Sequence, residues 1–312
     1  MDTVTPLKPG EDIRPHPTLV DVTQVLKRVY GLTECTLIEL QGYDDKNYRV
    51  TVSNPQQNIT NPHLTLQPNS LSLSVHFIFK ITNSMDSRHA VHAMHSNSWT
   101  ARPCHVHRNP AQFDAHKELM LHLVTRGFRV QTPLRNVRGE YASLETFGSS
   151  QHMVRLLSYL EGDLLKTISL TNDIAYKLGQ TVARLADSLT SFSHEFYTMY
   201  RSIWMLSELH RLSSFLFVLT EPSRVHTVES VLAKFQTQVM DRINSFQHGV
   251  IHGDINEQNI LLSLDSTQSP REQFSILDFG DSQHSCLVFD LAIAITYMVL
   301  QTGDLDTGGY VL

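Results

Sequence analysis

Val250-Ile-His-Gly-Asp-Ile-Asn-Glu-Gln-Asn-Ile-Leu-Leu262 is the stretch that decides the fold. Reduced to the side chains that carry its chemistry, it reads His252-x-Asp254-x-x-x-x-Asn259. Apolar runs flank it, Gly249–Ile251 on one side and Ile260–Leu262 on the other, and predict short strands that anchor a loop between them.

A second motif follows. Phe274-Ser-Ile-Leu-Asp-Phe-Gly-Asp281 is an apolar strand that delivers Asp278 into Phe279-Gly280. The spacing within the first motif and the D-F-G of the second resemble the catalytic and metal loops of protein kinases. There an aspartate accepts the proton of an attacking hydroxyl, and an asparagine and a second aspartate hold the metal that neutralises the phosphates. On this reading Asp254 is the base, and Asn259 and Asp278 are the metal ligands. Gly280 allows the sharp turn after Asp278. Either motif alone is weak; two together, each led by a strand-like run, are not well explained as ordinary hairpin turns.

Upstream, the runs Thr36–Leu40, Tyr48–Ser53 and Ser74–Ile81 read as strands. In the last, Val75, Phe77, Phe79 and Ile81 alternate with His76, Ile78 and Lys80, which predicts one face in a core. Lys80 on the opposite face can point into an interlobe cleft and meet the phosphates of a nucleotide. Its acidic partner is expected on the helix predicted from about Ala111 to Thr125, where Asp114 and Glu118 are both available. No G-x-G-x-x-G is present. The turn Gly42-Tyr43-Asp-Asp-Lys-Asn47-Tyr48 between the first two strands is the candidate to cover the phosphates through backbone N–H groups, with an ordinary hairpin turn as the alternative. Leu157–Leu160 would offer backbone groups to the base.

These signals predict an α+β, bilobal, protein-kinase-like fold: a flexible tail over 1–17, a small strand-rich N-lobe over 18–157, and a larger helical C-lobe over 158–312. A helix carrying Val22, Val25, Leu26 and Val29, stopped by Gly31, opens the N-lobe. Leu178, Val182, Leu185 and Leu189 make one amphipathic stripe in the C-lobe. Val228, Val231, Leu232, Phe235, Val239, Ile243 and Phe246 make another. Asp290–Leu300 is apolar nearly all round, which predicts a buried helix.

Composition narrows the function. The 312 residues are 41% hydrophobic, enough for a sizeable core, and the net charge of -6 offers no basic excess for nucleic acid or an anionic membrane. No stretch approaches the roughly 20 apolar residues of a membrane span, and no secretion signal leads the chain. The three cysteines, Cys35, Cys104 and Cys286, suit a reducing cytosol. With no secretion signal, the acceptor pattern Asn58-Ile-Thr60 is expected to be an unused sequon. Residues 86–109 gather His89, His92, His95, Cys104, His105 and His107 without a periodicity or a zinc spacing, and read as an atypical insertion rather than a metal site.

His252-Gly253-Asp254 with Asn259, then Ile276-Leu277-Asp278-Phe279-Gly280-Asp281, resembles the aminoglycoside phosphotransferase family more than protein kinases, which usually have arginine at the place of Gly253 and an A-P-E segment absent here. Tyr43–Asn47, Phe77–Asn83, Val154–Leu160 and His252–Leu262 make it similar to the hydroxylysine kinase branch. The resemblance implies phosphorylation of a small hydroxyl compound with Mg2+ and a nucleoside triphosphate. GTP is the implied donor, with ATP as the alternative, and 5-hydroxy-L-lysine is the implied acceptor. It further implies that His252 braces the catalytic loop, that Asp281 attracts a substrate ammonium and that Asp290 is a buried brace, a role compatible with a helix N-cap. Two departures stand out: the 86–109 insertion, and an end at Leu312 that implies a shortened C-lobe. Other amino alcohols or sugar-like acceptors, or nucleotide binding without turnover, are the alternatives.

Overall fold

The computed structural model describes residues 12–64, 73–83, 110–263 and 274–312. The His-rich stretch 86–109 and residues 1–11 of the expected tail lie outside the described residues. The chain divides into two units: the first holds the described residues up to Asn83, Pro110–Lys117 and Gln131–Tyr159, and the second holds Glu118–Val130 and the described residues from Leu160 to Leu312.

Among the described residues, twelve strands run in chain order: β1 (Thr36–Leu40), β2 (Lys46–Ser53), β3 (Ser74–Ile81), β4 (Arg129–Val130), β5 (Pro133–Leu134), β6 (Ser143–Phe147), β7 (Ser150–Ser158), β8 (Asp163–Leu164), β9 (His248–Ile251), β10 (Ile260–Leu262), β11 (Phe274–Ile276) and β12 (Gln283–Cys286).

The first unit is an antiparallel sheet in the order β1-β2-β3-β7-β5, with β6 paired to β7. The alternation read from the sequence gives it a core face. Tyr48, Val50 and Val52 of β2, Phe77, Phe79 and Ile81 of β3, and Val154 and Leu156 of β7 are buried together. The helix Leu19–Tyr30 lays Val22, Val25, Leu26, Val29 and Tyr30 on that face. Each such side chain contributes about 1.5–3 kcal/mol when fully buried. Thr18 caps the helix, accepting from the Asp21 N–H, while Asp21 accepts from Thr18. The opposite face of β3 is also covered: Ile78 and Lys80 are both buried. The amide of Asn58 is engaged within the protein, donating to the Ser53 carbonyl at 2.8 Å.

The second unit carries both motif loops on short strands. The four-stranded sheet β4-β11-β10-β8 and the two-stranded β12-β9 bracket them. The helix Asn172–Leu189 buries Leu178, Val182, Leu185 and Leu189 as its stripe predicts. Two expectations are corrected. The helix Val288–Thr302 is not buried all round: Phe289, Asp290, Ala294 and Met298 are buried, while Leu300 is 71% exposed. Average hydrophobicity does not say how many sides meet a partner. The second stripe is split between the helix Pro222–Gln238 and a 3-10 segment, Met240–Ser245, and neither contains a buried residue. Only its later part, Phe235, Val239, Ile243 and Phe246, rests against the core formed by Ile251, Cys286 and Phe289.

Candidate active site

In the second unit, the loop 252–259 leaves β9 and enters β10. Its start is clamped by Asp290, 2% exposed in the first turn of the helix Val288–Thr302. The His252 N–H donates to Asp290 Oδ2 at 2.7 Å, and the Gly253 N–H to Oδ1 at 2.8 Å. Asp290 is not the N-cap, which is Leu287. Burial pushes its carboxyl up from the ordinary value, against His252 and the two backbone bonds, which pull it down.

His252 is fully buried and ties the two motifs together. Its Nδ1 accepts from the Asp254 N–H at 3.2 Å, and its Nε2–H donates to the Leu277 carbonyl at 2.8 Å. These partners select the tautomer with the proton on Nε2. The ring meets Phe279 edge-on at 4.9 Å. Leu277, the residue before Asp278, also donates its N–H to the Asn259 carbonyl at 2.8 Å.

Gly253 allows the loops to approach. Its φ is +86°, and a Cβ there would stand 2.4 Å from the Asp281 carbonyl oxygen. No arginine fits at this position without moving that backbone.

The Asp254 carboxylate is held at both oxygens. Asn256 Nδ2 donates to Oδ1 at 2.8 Å, and Asn259 Nδ2 to Oδ2 at 2.8 Å. Asn259 Nδ2 also reaches the Asp254 carbonyl at 3.0 Å. Asn256 was missed by the sequence reading. Buried, it accepts from the Gln258 and Asn259 N–H groups, so it shapes the loop as well as the carboxylate. An asparagine two residues after Asp254 was its only signal. The charge of Asp254 also reaches Tyr297: burial first, then Asp254 and Glu257, push that phenol up.

Asp278 is exposed and left-handed, φ 52°, with Oδ1 accepting from the Gly280 N–H at 3.2 Å. The residues fit a hard divalent cation. The NH2 of Asn259 is turned to Asp254, which directs its amide oxygen the other way, and Asp278 supplies carboxylate oxygen at the end of the neighbouring strand. Asp281, half-buried, ends the short turn Phe279–Asp281.

In the first unit, Lys80 lies on β3 between Asn47 of β2 and Arg155 of β7, so all three share a face. Arg155 stacks over the Phe113 ring at 4.6 Å. The Lys80 ammonium is 3.2 Å from Asp45 Oδ2, a partner the sequence reading did not name. Asp114 pairs with Lys117, and Glu118 lies 3.8 Å from His194. Gly42 is required by close approach, since a Cβ would stand 2.3 Å from the Asp45 carbonyl. Tyr43 is 76% exposed. Leu157 lies inside β7, between Ile78 and Pro133, and Leu160 follows the end of that strand.

The model of the "Phosphotransferase enzyme family" matches residues 77–309. A hydroxylysine kinase of Danio rerio is 30% identical over 310 residues, covering 97% of this chain and 76% of the relative. Among solved structures, amicoumacin kinase hAmiN, in complex with AMP-PNP, Ca2+ and Ami, superposes with a TM-score of 0.60 at 12% identity, over 94% of this chain and 74% of that one. The microcompartment-associated aminopropanol kinase gives 0.52 at 13% identity, over 89% and 74%. The fold is thus the α+β, protein-kinase-like fold of these kinases. Among the described residues, no helix is long and apolar enough to cross a membrane.

Proposed function

Because the chain belongs to the phosphotransferase enzyme family, we propose that it transfers the γ-phosphoryl group of a nucleoside triphosphate to the hydroxyl of 5-hydroxy-L-lysine. Its general class is that of a small-molecule kinase, a phosphotransferase with an alcohol group as acceptor. GTP is the proposed donor, with ATP as the competing one, and the reaction belongs to lysine breakdown in the cytosol.

Asp254 takes the proton of the acceptor hydroxyl as its oxygen attacks the γ-phosphorus, and the bond from that phosphorus to the bridging oxygen breaks, so that the nucleoside diphosphate leaves. Asn256 and Asn259 fix the carboxylate, so little reorganisation is needed when the hydroxyl arrives. Asn259 Oδ1 and Asp278 would hold Mg2+, which when bound neutralises phosphate charge. Lys80 donates to the α- and β-phosphates, and the turn Gly42, Tyr43 to Asn47 offers backbone N–H groups to them. Leu157 and Leu160 border the base. Asp281 attracts the acceptor's ammonium, while His252 and Asp290 brace the loop.

The observation that carries the reading is the double hold on Asp254, one bond of which comes from the residue proposed to hold the metal. An ordinary turn has no need to orient both oxygens of one carboxylate with two side-chain amides.

The test is a substrate-depletion screen with hydroxylysine, a panel of amino alcohols and sugar-like compounds, each with Mg–GTP and Mg–ATP. Hydroxylysine should be consumed fastest, and Asp254→Ala should lower kcat by about 10²–10⁴-fold. Full turnover by Asp254→Ala would remove the assigned base. Faster consumption of another acceptor would replace hydroxylysine. Nucleotide binding without consumption of any acceptor would leave a binding protein.

A further inference from the structure

Lys80 and Asp45 are an enclosed pair: their side chains are 10% and 11% exposed, with Nζ 3.2 Å from Oδ2. A charge so far out of water requires a partner. Asp45 is itself tied down. Its Oδ1 accepts from the Asn83 N–H at 2.8 Å and from Asn83 Nδ2 at 3.2 Å. Asn83 lies two residues past the end of β3, and Asp45 immediately precedes β2. The carboxylate therefore joins the turn before β2 to the strand that carries Lys80, and the close approach at Gly42 keeps that turn tight around Asp45.

We infer that Asp45 is a positioning residue of Lys80, helping to set where the ammonium stands when a nucleoside triphosphate binds. The inference rests on the proposed function, in which Lys80 meets the phosphates. A rival account follows from charge alone: a carboxylate beside a phosphate-binding cation repels phosphate, so removing its charge would tighten binding. The geometry argues against it. Two donors on Oδ1 hold the carboxylate in place. An ammonium has three donors, so a bond to Asp45 and a bond to phosphate are compatible. The two accounts predict opposite signs for one substitution.

That substitution is Asp45→Asn. The new amide oxygen can still accept from Asn83, while the NH2 group meets the Lys80 ammonium donor to donor. Calorimetric titration of the full chain with Mg–GTP, Mg–ATP and the corresponding nucleosides reads the result. Positioning predicts that triphosphate Kd rises about tenfold or more, as expected for loss of a charge-assisted bond. Nucleoside Kd should stay within about twofold, and Asp45→Glu should recover part of the triphosphate affinity. Unchanged or tighter triphosphate binding by Asp45→Asn overturns the inference, and so does an equal loss for nucleoside and triphosphate. Should Asp45→Asn fail to fold, Asn83→Ala carries the test. It loosens Asp45 while keeping its charge, and should weaken triphosphate binding about threefold; unchanged affinity overturns the inference. If wild type binds no triphosphate at all, the proposed function fails, and the inference fails with it. If wild type binds and the variants do not differ, only the inference fails.

Discussion

Asn259 directs one side-chain nitrogen to two oxygens of Asp254, the carboxylate Oδ2 at 2.8 Å and the backbone carbonyl at 3.0 Å. This bond spans the five-residue spacing of the motif and makes the loop a ring closed on its own chemistry. With Asn256 on Oδ1, the Asp254 carboxylate has its rotation set before any substrate arrives.

Asn256 and Asn259 separate by their dependence on metal. Asn256→Ala releases Oδ1 and leaves the Gln258 and Asn259 N–H groups without their side-chain acceptor. It should lower kcat about tenfold and cost about 1–3 kcal/mol of stability, with the Mg2+ requirement unchanged. Asn259→Ala should move Mg2+ activation to higher concentration as well. Initial rates across a Mg2+ series check both, and identical Mg2+ curves for the two variants would contradict the assignment of Asn259.

Gly253→Ala tests the approach of the two loops. Alanine at φ +86° is strained, and its Cβ would stand 2.4 Å from the Asp281 carbonyl. A loss of about 2 kcal/mol or more is expected, with a matching fall in Tm and in kcat. Wild-type Tm would show that the loops tolerate a side chain there.

Asp278→Asn isolates charge from backbone shape. Asparagine also tolerates the left-handed region and can keep the bond from the Gly280 N–H. Stability without ligand should stay within about 0.5 kcal/mol. The stabilisation of wild type by Mg–nucleotide should be lost, as thermal denaturation with and without ligand would record. Equal stabilisation of both proteins would remove Asp278 from metal binding.

Tyr30 makes stability sensitive to alkali. Its ring is fully buried, its hydroxyl donates to the Val154 carbonyl at 3.2 Å, and burial pushes the phenol far above its ordinary 10.0. Burial acts on Tyr197 in the same direction. The unfolded chain ionises near pH 10 while the folded chain keeps these protons. Their contribution is thus fully present below pH 10 and is lost as pH rises toward the folded values. Each phenol adds a slope of about 1.4 kcal/mol per pH unit there. Tyr30→Phe should be less stable by about 0.5–1.5 kcal/mol at neutral pH and should lose one such slope above pH 10. Denaturant midpoints between pH 7 and 11 measure both effects; parallel curves would exclude Tyr30 as a source.

The parts legible beforehand share one property: their information is local. Alternation along Ser74–Ile81 placed Phe77, Phe79 and Ile81 in the core of the first unit. Helical spacing did the same for Val22, Val25, Leu26 and Val29, and it marked the stripe from Leu178 to Leu189 that is buried in the second unit. The spacing from His252 to Asn259 was enough to expect a loop between short strands, because five residues bound how far Asp254 and Asn259 can separate.

Pairings across long stretches of chain were settled only by tertiary packing. The acid beside Lys80 was sought on the following helix, yet Asp45 lies 35 positions earlier and arrives because β2 and β3 pair in register with Asn47 opposite Lys80. Asp290 reaches the His252 N–H from 38 residues away. The apolar run Asp290–Leu300 could not say that one stripe of that helix, ending in Leu300, would stay exposed. A residue's own spacing determines which face it can occupy. What waits opposite that face depends on strand register and on which surfaces meet, and those follow from the whole chain finding its lowest free energy at once.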